Sequence, residues 1–224
     1  MSTRRLLAGS LVVLTTGAAG LAPPAAAAVS TTSTSLVLSS TRSTYGQTVT
    51  AAASVTSTAE PAVGAVYFSV DGVAFRANVA ATGNATLVLP AADVGQHTVT
   101  ATFVPQLPDS QQGSTSSAQA WTVDRVRTRL EVRVTGRGAR IPTSVRVRAA
   151  GEYGSRPTGR VRVVLKRAGT RGTTVDSQVL APDGGVETRL GTLPRGRYRV
   201  TVTYAGDGRH LRERRVQWFR VVKR

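Results

Sequence analysis

The chain has 224 residues, with 29 Lys and Arg against 12 Asp and Glu, a formal net charge of +17 and no cysteine. The lack of cysteine excludes disulfides, thiolate metal sites and a cysteine nucleophile, so stability is expected to come from the hydrophobic core alone. The positive charge makes anionic molecules the expected partners of any binding surface.

The first 28 residues have the pattern of an export signal. Arg4 and Arg5 form a charged start, residues 6–14 are apolar, and Ala26-Ala27-Ala28 is a small-residue cleavage site. This pattern predicts a cleaved signal peptide and a mature protein outside the cell, either free or loosely bound to the cell wall. The general secretory route and the twin-arginine route both fit. Gly and Pro interrupt the apolar run before the roughly 18 to 20 residues that span a bilayer, so we expect no transmembrane segment after cleavage.

The rest of the chain alternates β-branched and polar residues, with Gly, Pro, Asn and Asp between the alternating runs, which is typical of short β-strands. In chain order, we predict strands A to G at residues 34–39, 47–56, 63–70, 73–80, 84–89, 96–104 and 116–123. Asp71-Gly72 and Gly83-Asn84 supply turn residues that tolerate positive φ between strands C, D and E.

The same order of segments recurs about 94 to 101 residues downstream. The matching pairs are residues 36–38 and 130–132, 49–53 and 145–149, 64–68 and 159–163, and 95–99 and 196–200. Seven strands in about 100 residues is the size of an immunoglobulin domain. The sequence therefore predicts an all-β protein of two tandem immunoglobulin-like β-sandwich domains, at residues 29–124 and 125–224, after a signal peptide at 1–28.

Strand F has the outline of the Asp-x-Gly-x-Tyr-x-Cys segment of immunoglobulin domains. Val99 and Val200 stand where the disulfide cysteine would be. Tyr198 occupies the tyrosine-corner position, whose hydroxyl bonds to nearby backbone. His97 replaces that tyrosine in the first copy, so we interpret His97 as a corner residue rather than a catalytic base.

Several short motifs resemble those of the bacterial immunoglobulin-like repeats that occur in tandem on secreted and surface proteins. They lie at residues 31–35, 45–49, 93–103, 157–161 and 198–207. The resemblance covers nearly all of residues 31–222. It departs at Phe103-Val104-Pro105, where the Tyr-x-Gly-Asp ending is missing, and in the Arg content of the second copy. It implies a spacer, a stalk or a binding module, and fold alone does not choose among these.

Convergent reactive groups are missing from the sequence. There are two His, His97 and His210, and the acids are scattered singly near turns, so no catalytic residue, metal site, cofactor or small-molecule substrate is predicted. Asp183 and Asp207 are interpreted as turn formers. Trp121 and Trp218 lie in the two G strands, where we expect burial in or beside the core.

Charge differs sharply between the two copies: residues 30–124 carry a net charge of −3, and residues 125–224 a net charge of +18. Alternation places Arg160 and Arg162 of strand C, and Arg197 and Arg199 of the neighbouring strand F, on one exposed face. These four arginines are the candidate polyanion-binding face. Arg220 extends it only if Trp218 also points outward.

The alternative interpretation of the arginines is a solvated coat that keeps the sandwich soluble. Charge on the other sheet favours that interpretation, and it comes from Arg125, Arg127, Arg129, Arg133 and Arg189. The sequence leaves both interpretations open.

From the sequence we predict a secreted, non-enzymatic structural or adhesive module of the cell envelope or extracellular space. The alternative is a soluble binder of anionic polymers, such as teichoic acid, acidic polysaccharide or nucleic acid, through the Arg-rich second domain. The expected partners are an anionic cell-wall polymer, a polysaccharide or another surface protein. An accessory domain detached from an enzyme is a third candidate.

Overall fold

A computed structural model describes residues 29–223. The predicted signal peptide lies outside the described residues. Between Val29 and Lys223 the chain is built from β-strands, with one 3₁₀ turn at Glu152–Gly154. Within that range, no helix has the length and hydropathy needed to cross a membrane. The prediction of an all-β fold is confirmed.

The first sandwich contains nine strands. They are β1 (Thr32–Leu38), β2 (Arg42–Thr44), β3 (Thr50–Ser57), β4 (Gly64–Val70), β5 (Val73–Asn78), β6 (Asn84–Val88), β7 (Gly95–Pro105), β8 (Ser114–Thr115) and β9 (Gln119–Asp124). One sheet has the order β1-β3-β6 and the other the order β2-β9-β7-β4-β5, with β8 paired to β7. The short β2 runs parallel to β9, and the other pairs are antiparallel.

The second sandwich repeats this plan with seven strands. They are β10 (Thr128–Thr135), β11 (Thr143–Gly151), β12 (Arg160–Arg167), β13 (Thr173–Val179), β14 (Gly185–Gly191), β15 (Gly196–Tyr204) and β16 (Glu213–Val221). Its sheets have the orders β10-β11-β14 and β13-β12-β15-β16. The two copies thus share the arrangement expected from the sequence repeat.

Strand D of the prediction, at residues 73–80, corresponds to β5, which pairs with β4 rather than with β6. The cause is the two-residue turn before it, where Asp71 and Gly72 both have positive φ, 50° and 89°. Such a turn joins neighbouring antiparallel strands directly, so β5 extends the sheet that contains β4 and β7.

Each sandwich has its own hydrophobic core between its two sheets. Phe68, Val99 and Phe103 are fully buried in the first core, as Val200 and Tyr204 are in the second. Val99 and Val200, which stand where the cysteine of strand F would be, are thus buried in these cores. Close packing of the inward side chains stabilises each sandwich without a disulfide.

The corner contacts agree with the prediction for strand F. The Tyr198 hydroxyl donates a hydrogen bond to the carbonyl oxygen of Pro194, at 2.7 Å. His97 places Nε2 at 2.8 Å from the carbonyl oxygen of Asp93, which is also four residues upstream. His97 in the first sandwich and Tyr198 in the second thus make equivalent corner contacts.

Candidate anion-binding face

The outward side of the sheet β13-β12-β15-β16 carries the predicted arginines, and we call it the basic face. Strand register sets its rows. Lys166, Arg199 and Trp218 stand side by side in one row of β12, β15 and β16. Arg162 and Arg214 flank Thr203 in a second row four residues further along β12 and β15.

All four predicted residues lie on the basic face, but they do not form one compact patch. Arg199 stands opposite Lys166, whereas Arg162 is four residues from Lys166 along the same strand. At about 3.3 Å per residue this separates the two rows by about 13 Å. Arg160 and Arg162 therefore lie at one end of the face, and Arg197 and Arg199 lie at the other.

Three further cations on the basic face were not among the predicted site residues. Arg220 is the register partner of Arg197, Lys166 is the partner of Arg199, and Arg214 is the partner of Thr203. Lys166 shares the outward parity of Arg160 and Arg162 on β12, whereas the outward positions of Arg214 and Arg220 depend on the register of β16 with β15. The exact start of β16 decides which of its side chains point outward.

The outward positions of these four strands, all within the described residues, hold no acidic side chain. The cationic ones are Arg160, Arg162, Lys166, Arg197, Arg199, Arg214 and Arg220. Nothing on the face neutralises them, so their charge is available to an anionic partner.

The opposite sheet of the same sandwich mixes both signs of charge. Glu131 stands opposite Arg148, and Glu187 stands opposite Arg146. Arg146 Nε lies 3.1 Å from Glu187 Oε2, and this hydrogen bond is the main cause of a lowered pKa for Glu187. Arginines on this sheet are thus partly compensated, which distinguishes them from those of the basic face.

Trp218 is half exposed, at 49%, whereas Trp121 is 2% exposed. The prediction of burial was right for Trp121 and wrong for Trp218. Register gives the reason: Trp121 pairs with His97, and the residue that pairs with the equivalent Tyr198 is Phe219. Phe219 takes the inward position, so Trp218 faces outward, and Arg220 extends the face as well.

Two arginines stack on the exposed indole ring. The guanidinium carbon of Arg197 lies 4.6 Å from the ring centroid of Trp218, and that of Arg199 lies 5.8 Å away. Both distances are within the range of cation–π attraction. The ring therefore holds two guanidinium groups in place at one end of the basic face.

The other concave and acidic regions of the described residues are weaker candidates for a binding site. A groove between β10 and β16 mixes Arg127 and Arg215 with Glu131 and Glu213. No group of three or more potential metal ligands occurs among residues 29–223.

The two aspartates interpreted as turn formers do serve turns. Asp183 accepts the backbone N–H of Gly185, and Asp207 accepts those of Thr158, Arg209 and His210. Although burial opposes it, these backbone hydrogen bonds and the His210 side chain hold the pKa of Asp207 well below its usual range.

Two antiparallel sandwiches in series, one with an acid-free basic face, define a tandem immunoglobulin-like protein. Residues 36–124 match the family model described as bacterial Ig-like domain (group 3). The first sandwich is therefore similar to the bacterial Ig-like domains that the sequence motifs resemble. A search of curated proteins found no match to this chain.

Among solved structures, the fibronectin(III)-like modules of CbhA from Clostridium thermocellum are similar at 16% identity and a TM-score of 0.31, over 84% of this chain and 94% of that one. The adhesin InvE from Yersinia pseudotuberculosis is similar at 16% identity and a TM-score of 0.38, over 83% of this chain. The chain spans 58% of the adhesin's length. These likenesses carry no information about ligands.

Proposed function

We propose that this protein is a secreted, non-enzymatic structural or adhesive module of the cell envelope or extracellular space, in which two sandwiches act as one rigid unit. The observation that carries the proposal is the direct joint between the sandwiches. A structural module must hold its two ends in a fixed relative orientation. A joint fixed by hydrogen bonds does this, whereas a flexible linker does not.

The connecting segment between the sandwiches is part of the joint. β9 ends at Asp124 and β10 begins at Thr128, so three residues separate them. The middle one, Val126, is fully buried, and its N–H donates to the carbonyl oxygen of Arg209 at 2.9 Å. Leu211 donates back to the carbonyl oxygen of Val126 at 2.8 Å. The connection thus has no freely rotating residue at its centre.

Arg209 also reaches across to the first sandwich. One of its terminal guanidinium nitrogens lies 2.6 Å from Asp93 Oδ1, and its Nε lies 2.8 Å from the same oxygen. The guanidinium carbon lies 5.0 Å from the ring centroid of Tyr45, and the Tyr45 ring meets His210 edge to face at 6.1 Å. One side chain therefore joins a carboxylate and an aromatic ring of its neighbour.

Secretion is tested on the native protein in its source organism. We expect the protein in the culture medium or the envelope fraction, with Val29 at its N-terminus. Fractionation and N-terminal sequencing provide the measurement. A protein that retains Met1 and stays in the cytosolic fraction would contradict the proposal.

A second candidate function is the binding of anionic polymers through the second sandwich. The acid-free basic face favours it, because uncompensated cations release counterions from a polyanion on binding. About four phosphate contacts on duplex DNA predict a log-log salt slope near −3.6.

Two sets of four substitutions to Ser test this candidate. One set removes Arg160, Arg162, Arg197 and Arg199, and the control set removes Arg125, Arg127, Arg129 and Arg133. Binding of heparin or duplex DNA is measured over a range of salt concentrations. The first set should flatten the slope more than the second. Equal losses would mean diffuse attraction by a solubility coat.

A further inference from the structure

We propose that the Trp218 end of the basic face is a binding site for acidic polysaccharide. This inference rests on the second candidate function and makes it specific, since it names one end of the face and one class of ligand. The ligand is a chain of sugar rings that carry carboxylate or sulfate groups.

Four cations surround the indole of Trp218 on the basic face. Lys166 and Arg199 stand beside Trp218 in one row, and Arg197 and Arg220 form the next pair. Adjacent strands lie about 4.8 Å apart. All four cations therefore lie within about one or two sugar lengths of the indole ring. No other outward position of β12, β13, β15 or β16, strands that the structure describes in full, holds an aromatic side chain.

A shallow hollow lies next to Trp218. It is lined by Lys166 and Arg199 together with Ala168 and Gly169 of the turn after β12. The small side chains of that turn leave the approach to the ring open. The part of the indole that borders this hollow is thus open to one C–H face of a pyranose ring, with the guanidinium groups that stack on the indole beside it.

This end of the face offers two kinds of contact, one from the indole ring and one from the guanidinium groups. An indole face carries negative potential and attracts the weakly positive C–H groups on one side of a pyranose ring. A guanidinium binds a carboxylate or sulfate through two parallel hydrogen bonds. A chain of sugar rings that carry acidic groups uses both features. A flexible chain of phosphates would use the cations and leave the ring unused.

The opposite end of the face lacks this combination. Arg160, Arg162 and Arg214 are exposed there without an aromatic neighbour on the face. Between the two ends lies a row in which Val164 and Val216 flank Thr201. The geometry therefore points to the Trp218 end as the site and leaves the other end as a source of general attraction.

Fluorescence provides the first readout, because the chain has two tryptophans. In a Trp121→Phe variant Trp218 is the only tryptophan. Titration with heparin should change its emission, whereas titration with neutral dextran should not. If saturating heparin leaves the emission unchanged, the ring is not in the site and the proposal fails.

Matched variants provide the second readout. Trp218→Thr removes the ring without changing charge, and Val216→Thr is its control on the same strand and face, at 43% exposure. We expect heparin to bind Trp218→Thr about tenfold more weakly, with no change for Val216→Thr. Polyphosphate should bind both variants like the native protein.

The outcomes separate the site from the broader function. If Trp218→Thr weakens heparin and polyphosphate equally, or weakens neither, the site assignment is overturned while anionic binding stands. If neither polymer binds the native protein near physiological ionic strength, the second candidate function itself fails. Circular dichroism of the two variants checks that both are folded.

Discussion

At the scale of single residues, two side chains of different chemistry make the same corner contact. Tyr198 and His97 each bond to a carbonyl oxygen four residues upstream, that of Pro194 and that of Asp93. His97 adds a second partner, since its Nδ1 lies 2.6 Å from Asp71 Oδ2. Both of its ring nitrogens thus face acceptors, and only the protonated imidazole can donate to both.

The corner of the second sandwich can be tested by removing one hydroxyl. Tyr198→Phe should destabilise that sandwich by about 1 kcal/mol, because the partly buried hydrogen bond from the Tyr198 hydroxyl to the carbonyl oxygen of Pro194 is lost. The measurement is the denaturant midpoint. Tyr153→Phe, at an exposed tyrosine, is the control and should have no effect. An unchanged midpoint for Tyr198→Phe would remove the corner assignment.

The corner of the first sandwich should depend on pH. Burial lowers the pKa of His97, but hydrogen bonds to Asp71 and Asp93 outweigh it and raise the pKa above 6.5. The hydrogen bond from His97 lowers the pKa of Asp71 below 3.8. The stabilisation from His97 is complete below pH 6.5 and is lost as pH rises through its raised pKa. That from Asp71 is complete above pH 3.8 and is lost as pH falls through its lowered pKa.

We therefore expect the unfolding midpoint of the first sandwich to fall as pH rises from 6.5 through the raised pKa of His97. In His97→Tyr, which copies the other corner, this decrease should disappear. Emission of Trp121 in a Trp218→Thr background reports on the first sandwich alone. A decrease of equal size in His97→Tyr would show that another group titrates.

At the scale of strands, alternation predicted the seven main elements of each copy, because each buries one face and its inward residues repeat every two positions. The short β2 and β8 were missed, since two or three residues establish no period. Placement of β5 required the turn geometry at Asp71-Gly72. The outward position of Trp218 required the register of β16 with β15, which depends on contacts between strands rather than on either strand's sequence.

The turn that sets the place of β5 can be tested at Gly72. Its φ is +89°, and a Cβ added there would meet no atom within 4 Å. Gly72→Ala should therefore cost about 1 kcal/mol of stability through backbone strain alone. Gly172→Ala is the control in the corresponding turn of the second sandwich, because its added Cβ is also free and its φ lies outside the left-handed region. Equal midpoints for the two variants in chemical denaturation would contradict the turn assignment.

At the scale of the whole molecule, two sandwiches are joined by a short connection and by contacts between their side chains. Each has its own core and its own pair of sheets. Charge is concentrated on the second sandwich, and the joint is made by Arg209, Asp93 and Tyr45. This arrangement suits a protein that presents one surface at a fixed orientation to another.

Independent folding of the two halves is a prediction at this scale. Residues 30–124 and 125–224, expressed separately, should each unfold in one cooperative transition, because each strand set is complete. Calorimetry provides the measurement. If either half lacks a cooperative transition, the boundary at residue 124 is wrong.

A rigid unit of two sandwiches is tested most directly by the distance between them in solution. The chain has no cysteine, so spin labels at Thr86→Cys and Ser177→Cys, both exposed positions, report one distance by pulsed electron resonance. We expect a single narrow distribution that broadens when Arg209→Ala removes the contacts to Asp93 and Tyr45. A broad distribution in the protein with Arg209 intact would contradict a rigid structural module.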